Sequence, residues 1–343
     1  MEIVYMLGNG FDLNLGLKTS YKSFYEYYIK TGSKNEIINK FKNELNKNLD
    51  LWSDLEEALG VYSLNFIAND KDKFIDLLED IQDHLAIYIS EQNLKLNVPN
   101  FNKNKFIEDL MTPTKYLDER DLVHFQNYIS TKNINMNSSS ISVITFNYTN
   151  SFEIITGWNG KRIILGKYSN DNKLRPLNLK NVIHIHGTTE SNMILGVNDE
   201  EQISNVEICN DDELKESFVK PVMNNGTGTL RHERCVELLN SANIVCVFGM
   251  SFGKTDKCWW DLLIDNIRTK KQIVIIFDVA KKFSKLREYK FNRIKLNIKE
   301  KLLKHCSISE DEVSKIIDNI YVVLNSDMFK CEEILTLKDS DVS

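Results

Sequence analysis

Six short runs, apolar almost throughout, limit what this chain can fold into: "EIVYML" at 2–7, "ISVITF" at 141–146, "VIHIH" at 182–186, "NIVCVFG" at 243–249, "QIVIIF" at 272–277 and "IYVVL" at 320–324. Most do not alternate apolar with polar residues, as a strand with one wet face would. They match strands covered on both faces, the usual condition of a parallel sheet. Segments with helical spacing separate them, giving the strand–helix–strand rhythm of a doubly wound α/β fold. With 343 residues and 42% hydrophobic content, the chain can bury a large core in one elaborated domain or in two.

The rhythm is uneven. Between the first run and "ISVITF" there is almost no strand pattern, while "NEIINKFKNELNKN", "LWSDLEEALGVYSLNF" and "DKFIDLLEDIQDHLAIYI" carry apolar residues at helical spacing. A large helical insertion after the first strand is therefore expected: residues 20–135 as an inserted subdomain, with 1–19 and 136–343 forming the sheet domain. "NINMNSSSIS" at 133–142 reads as the polar connector back to the sheet. The stretch 157–180 is polar and irregular and reads as a hairpin arm. "VNDEEQISNVEICNDDELKE" at 197–216 is acidic and is expected as a surface excursion or mobile lid.

A formal net charge of −6 gives no strong nucleic-acid signal. No stretch of about 18 apolar residues occurs, and the apolar start is shorter than a signal peptide. A cytoplasmic protein with no membrane partner is the expectation. The six cysteines, Cys209, Cys235, Cys246, Cys258, Cys306 and Cys331, form no C-x-x-C pair, so neither a zinc ribbon nor a thioredoxin-type site is encoded. Reduced thiols and no bound metal are expected.

Gly8, Gly10 and Gly16 stand together in a chain with only 14 glycines. They follow the first apolar run and precede a helical pattern. A strand, a bare turn and a helix start form an anion site, and glycines let the main chain approach a pyrophosphate closely. The alternative is a tight strand-to-helix turn. Three more strand ends carry polar or glycine-rich residues: Asn147 after "ISVITF", His186 and Gly187 in "VIHIHG", and Gly249, Ser251 and Asp256 in "VFGMSFGKTD". Ligands of open α/β sheets collect at the carboxyl ends of strands, so these four ends are expected to line one crevice.

With these residues in view, the chain resembles the AbiH family of bacterial abortive-infection proteins, which act in phage defence. The resemblance rests on "GNGFDLNLGLKTSY", the W-x-D-x-E stretch of Trp52, Asp54 and Glu56, "FNYTN", "IHG" and "GMSFGKTD". The same motifs are similar to a divergent sirtuin-type, Rossmann-like nucleotide fold. That similarity implies cofactor-binding roles for Gly8, Asn9, Gly10, Phe11, Asp12, Gly16 and Thr19 in a loop over the NAD pyrophosphate. It puts Asn147 on the asparagine that handles NAD and His186 on the catalytic histidine, and it aligns Gly249, Ser251 and Asp256 with the turn bordering a cofactor ribose. Asp12 stands where sirtuins carry a serine, and Thr149 where they carry an aspartate. The four-cysteine zinc module of the deacylases is missing. That directs the resemblance to the zinc-free branch, several of whose members resemble NAD hydrolases.

Each residue also has a plainer reading. Asn147 either handles the ligand or caps the helix that follows it. His186 either lines the crevice or is a buried structural histidine. His184 and His186 are expected to point opposite ways, with His184 packed against the helices behind the sheet. Asp12 either caps a short helix or binds a ribose. Trp52, Asp54 and Glu56 either pack a helix face or close the pocket. The function expected from the resemblance is NAD hydrolysis at the nicotinamide–ribose bond, with NAD as substrate. The rivals are a nucleotide-binding sensor that gates a partner, and a defence nuclease. A phage-derived trigger and a homo-oligomer are the partners such an activity implies.

Overall fold

The computed structural model describes residues 1–47, 52–96, 101–131, 139–170, 173–280, 289–304, 306 and 308–330. All six apolar runs enter one sheet, together with a strand that the sequence shows only as part of a hairpin arm. The strands are β1 (Glu2–Leu7), β2 (Ser139–Thr145), β3 (Ile163–Asn170), β4 (Lys173–His184), β5 (Ile244–Phe248), β6 (Ile273–Asp278) and β7 (Ile320–Leu324). Their order is β3-β4-β2-β1-β5-β6-β7. Every neighbouring pair is parallel except β3–β4, which is antiparallel at the edge.

The lack of alternation follows from how the sheet is covered. Ile3, Tyr5 and Leu7 join the cluster on one face, and Val4 and Met6 join the cluster on the other. Either choice of face is apolar, so the strand is apolar throughout. Burying each such side chain is worth roughly 1.5–3 kcal/mol.

Between β1 and β2 lie α1 (Asn9–Asn14), α2 (Tyr21–Tyr28), α3 (Glu36–Lys47), α4 (Leu55–Tyr62), α5 (Lys71–Asn93), α6 (Lys103–Met111) and α7 (Glu119–Thr131). Then come α8 (Ser151–Thr156), α9 (Asp212–Phe218), α10 (Lys220–Gly226), α11 (Arg231–Ser241), α12 (Lys257–Lys270), α13 (Tyr289–Lys304) and α14 (Glu310–Ile316). The helices before β2 pack in two groups. From α2 to α5, Phe24, Tyr28, Phe41, Leu59 and Phe74 build an aromatic-rich cluster of their own. From α6 and α7, Phe106, Leu110 and Phe125 join the sheet's cluster with Phe11 and Phe152.

The acidic stretch 197–216 is not a loose excursion. Val197, Ile203, Ile208 and Leu214 are buried in the aromatic-rich cluster, and the Asn205 amide donates to the carbonyls of Ser63 and Phe66. Apolar residues recur among the acidic ones, which stay outside, and net charge conceals that pattern.

Buried Asp109 on α6 ties the turn after β7 to the body of the protein. It accepts from the Phe329 N–H at 2.8 Å and from Lys105 Nζ at 2.8 Å. Burial alone would raise its pKa, but Lys105, Tyr116 and Lys115 hold it below the ordinary value.

Candidate functional site

A cavity of about 970 Å³ runs along the carboxyl ends of the strands. It is lined by Gly8 after β1, Asn147 after β2, His186 after β4, Gly249 after β5, Asp278 at the end of β6 and Asn325 after β7. Trp52, Asp54, Tyr21 and Tyr25 close it from the helical side. The four expected strand ends meet at this one crevice, and Asn9, Gly10, Asp12, Thr19, Ser251 and Asp256 also line it.

The glycines of the first turn have a different local task from the one expected. The Gly8 N–H donates to Phe248 O and the Gly10 N–H to Gly249 O, both at 2.9 Å. A Cβ on Gly10 would lie 2.4 Å from the Gly249 Cα. Gly249 itself has φ +67°, which a side chain would strain. The backbone is bare here because two turns press against each other, and those two amides are committed within the protein.

Two members of the proposed loop lie elsewhere. Phe11 is buried among Phe106, Phe152, Phe248 and Phe329, so its ring belongs to the core and not to the cavity. Gly16 lies past the end of α1 at φ +83°, its N–H on Leu13 O, where it reverses the chain. The turn after β1 is short, with α1 starting at Asn9, so Phe11 and Gly16 fall outside the crevice lining while Asp12 and Thr19 stay in it.

Asn147 does not cap the next helix, which starts at Ser151 with Asn150 at its N-cap. Its Nδ2 instead donates to Gly8 O at 3.0 Å. That bond couples the β2 end to the glycine turn and leaves Oδ1 as the oxygen the side chain can offer.

The two histidines do part company, but for a different reason from the one expected. Residues two apart on a strand share a face. However, β4 ends at His184, and the turn that follows carries His186 to the cavity. His184 places Nε2 2.6 Å from Glu153 Oε1 on α8 and Nδ1 2.9 Å from Asn147 O. Burial would lower its pKa, but Glu153 outweighs burial and raises it.

His186 belongs to a buried charge network whose central residue the sequence did not flag. Its Nε2 is 3.2 Å from Asp256 Oδ1. The Lys220 ammonium, at the start of α10, lies 2.9 Å from that same oxygen and 2.7 Å from Glu56 Oε2, and also donates to Thr255 O at 3.1 Å. Glu56 Oε1 accepts the Gly196 N–H. Burial and the Lys220 charge lower the His186 pKa, with Asp256 opposing them. Burial alone would raise Asp256, but Lys220 and His186 hold it well below the carboxylate range. Burial pushes Glu56 up to about 7, Lys220 only partly offsetting it. One cation cannot fully compensate two buried carboxylates, and Glu56 is the one whose pKa is raised. The only local signal for Lys220 is a cation set among apolar residues in "SFVKPV".

The W-x-D-x-E stretch divides its work. Trp52 is buried against Phe41 and Tyr62. Asp54 caps α4 by accepting the Glu57 N–H. Glu56 enters the charge network.

Asp12 is not a cap either, since Gly8 holds that position. Its carboxylate accepts from Thr149 Oγ at 2.8 Å and Ser151 Oγ at 2.7 Å. Burial raises its pKa to about 6 despite those bonds. Around this crevice, then, stand a neutral imidazole whose Nε2 faces a carboxylate, an amide oxygen, and several hydroxyls. Among the described residues no group of three or more His, Cys, Asp or Glu side chains is arranged to hold a metal ion. No helix among them is long and apolar enough to cross a membrane.

No curated protein matches the chain significantly. A family model does match, over residues 4–278, a span that holds every strand end of the crevice except that of β7. The chain belongs to the AbiH family of bacteriophage abortive infection proteins.

Proposed function

We propose that this AbiH protein acts in phage defence by hydrolysing NAD at the nicotinamide–ribose bond, in a sirtuin-like domain formed by residues 1–19 and 136–343 and carrying 20–135 as a helical insertion. One observation carries the reading: Asn147, His186 and the Gly8–Gly249 junction line one cavity at the carboxyl ends of mostly parallel strands, where such sheets take nucleotides. Asp12 and Thr149, the two departures from the sirtuin pattern, are hydrogen-bonded to each other in the lining of this cavity.

In this reading the water oxygen bonds to the ribose C1′ while the C–N bond breaks. Its electron pair leaves with nicotinamide, which becomes neutral and needs no acid. Asn147 Oδ1 orients the water or the ribose hydroxyls through the oxocarbenium-like transition state. Asp256 faces the His186 Nε2 and so favours the tautomer that carries its proton there. Nδ1 then holds the lone pair that accepts the proton from water. The lowered pKa keeps His186 in this neutral form at pH 7.

A second reading, a nucleotide sensor without turnover, draws on the committed amides of Gly8 and Gly10, which leave less backbone to grip a diphosphate. The deciding measurement is nicotinamide release from NAD by the purified protein, with Asn147→Ala as control. Saturable binding without product selects the sensor, and neither binding nor turnover rejects both readings.

A further inference from the structure

We propose that Lys220 is a positioning residue for this reaction: it occupies Asp256, keeps His186 an uncharged base, and through Glu56 ties the helical insertion to that base. Its part in turnover rests on the reading that His186 takes a proton from water. The placement of its charge does not.

Two buried histidines supply the comparison. Each sets Nε2 against a carboxylate, His184 against Glu153 Oε1 at 2.6 Å and His186 against Asp256 Oδ1 at 3.2 Å. A carboxylate facing an imidazole in the interior favours the imidazolium. His184 follows that rule: burial would lower its pKa, yet Glu153 raises it. His186 departs from it, its pKa lowered by burial and by Lys220 against the pull of Asp256. The Lys220 ammonium reaches the same Asp256 oxygen at 2.9 Å, so that carboxylate already has its cation. A second positive charge on the imidazole would be repelled by the first. Around the His186 ring stand also Arg231, a further cation opposing protonation, and the Phe146 ring, edge-on at 5.3 Å.

Lys220 is also held in place. Its N–H donates to Val197 O at 2.9 Å, the Val197 N–H donates to Phe218 O at 2.8 Å, and Pro221 follows in the first turn of α10. Glu56 on α4 grips the ammonium from the other side at 2.7 Å. Glu56 in turn accepts the Gly196 N–H, on the segment whose Ile194 N–H donates to His186 O at 2.8 Å. Histidine, lysine and the carboxylate of the insertion therefore close a ring of contacts, and the base is set only when all three have docked. Glu56, Asp256 and His186 line the cavity and Lys220 does not, so the lysine acts through them.

NMR titration of the histidine rings in the ligand-free chain tests this without turnover. In the wild type His186 should titrate below the ordinary imidazole value and His184 above it. A His186 midpoint at or above that of His184 overturns the inference with no variant needed. Glu56→Gln supplies a background in which removing the lysine strands one carboxylate instead of two. On that background Lys220→Met should raise the His186 midpoint by about 1–3 pH units. Lys220→Arg, which keeps the cation, should leave it within about half a unit. A midpoint that the methionine variant leaves unmoved, with a cooperative thermal melt, overturns the inference, and so does an equal rise in both variants. If the methionine variant does not melt cooperatively, the order of the two wild-type midpoints decides. The acid limb of nicotinamide release against pH should move with the His186 midpoint, each unit below it costing about tenfold. If nicotinamide is released while His186 titrates like His184, only this inference falls. If the titrations run as stated and no nicotinamide is released, the NAD reading falls and the hold of Lys220 on His186 stands.

Discussion

Two buried carboxylate networks flank the same crevice and behave differently. Beside β1, Asp12 accepts hydrogen bonds from the hydroxyls of Thr149 and Ser151, and burial lifts its pKa to about 6. On the opposite wall Asp256 faces Lys220 and His186, and its pKa is held well below the ordinary range. Asp12 is fully buried and Asp256 largely so, with 18% of its side chain exposed. Neutral donors do not repay the loss of hydration, whereas a full cation does. Glu56 shares that cation, yet its pKa is raised to about 7. Lys220 therefore pins Asp256, whereas Glu56 in the same network and Asp12 in the other have raised pKa values.

The comparison breaks first at Lys220. Lys220→Met should cost about 3–5 kcal/mol by urea denaturation, because it leaves two carboxylates buried without their cation. Adding Glu56→Gln should recover part of that loss. A penalty below about 1 kcal/mol would mean the network is wetter than its burial implies.

Asn147→Ala and His186→Ala should each lower nicotinamide release by about 100-fold or more, with stability losses of about 0.5–2 kcal/mol. His184→Ala, whose ring is held by Glu153 and the Asn147 carbonyl, should spare most of the turnover. Folded variants at 147 and 186 that keep full activity would remove the proposed mechanism.

The proton-responsive side should appear in the pH dependence of stability. The pKa of Asp12 is raised on folding, so below about pH 6 the folded state binds the extra proton. Its contribution is therefore lost as pH rises from about 4 to 6. Unfolding free energy should fall by about 2–3 kcal/mol over that window from this group, and Asp12→Asn should flatten the slope. An unchanged slope in the variant would assign the dependence to other groups.

The smallest expected effect separates capping from charge within one helix. Asp54→Ala removes only the cap of α4 and should cost about 1 kcal/mol. A loss matching that of Lys220→Met would tie Asp54 to the ion network instead.

The sheet was legible because burial on both faces makes a strand apolar at every position, and six runs show it. β3 was not, since an edge strand may stay polar: Ile164 on it is 63% exposed. Acidic residues likewise masked the anchored stretch 197–216. Asn147, His186 and Asp256 were found because strand ends converge by topology, not by contact within the sequence. Lys220 was missed because a buried lysine looks like a surface one until its two carboxylates are in place.

The amino-acid sequence alone determined which segments are strands, that glycine had to stand at the turn after β1, and that the chain belongs with the AbiH proteins. Local periodicity and sterics act over a few residues, so they can be read along the chain. Only the tertiary structure decided that the glycines face another turn, that His184 and His186 separate after β4, and that Asp12 and Asp256 titrate differently. Those outcomes depend on partners 31 to 241 positions away in sequence, and the electrostatics of a buried carboxylate are set by its neighbours in space.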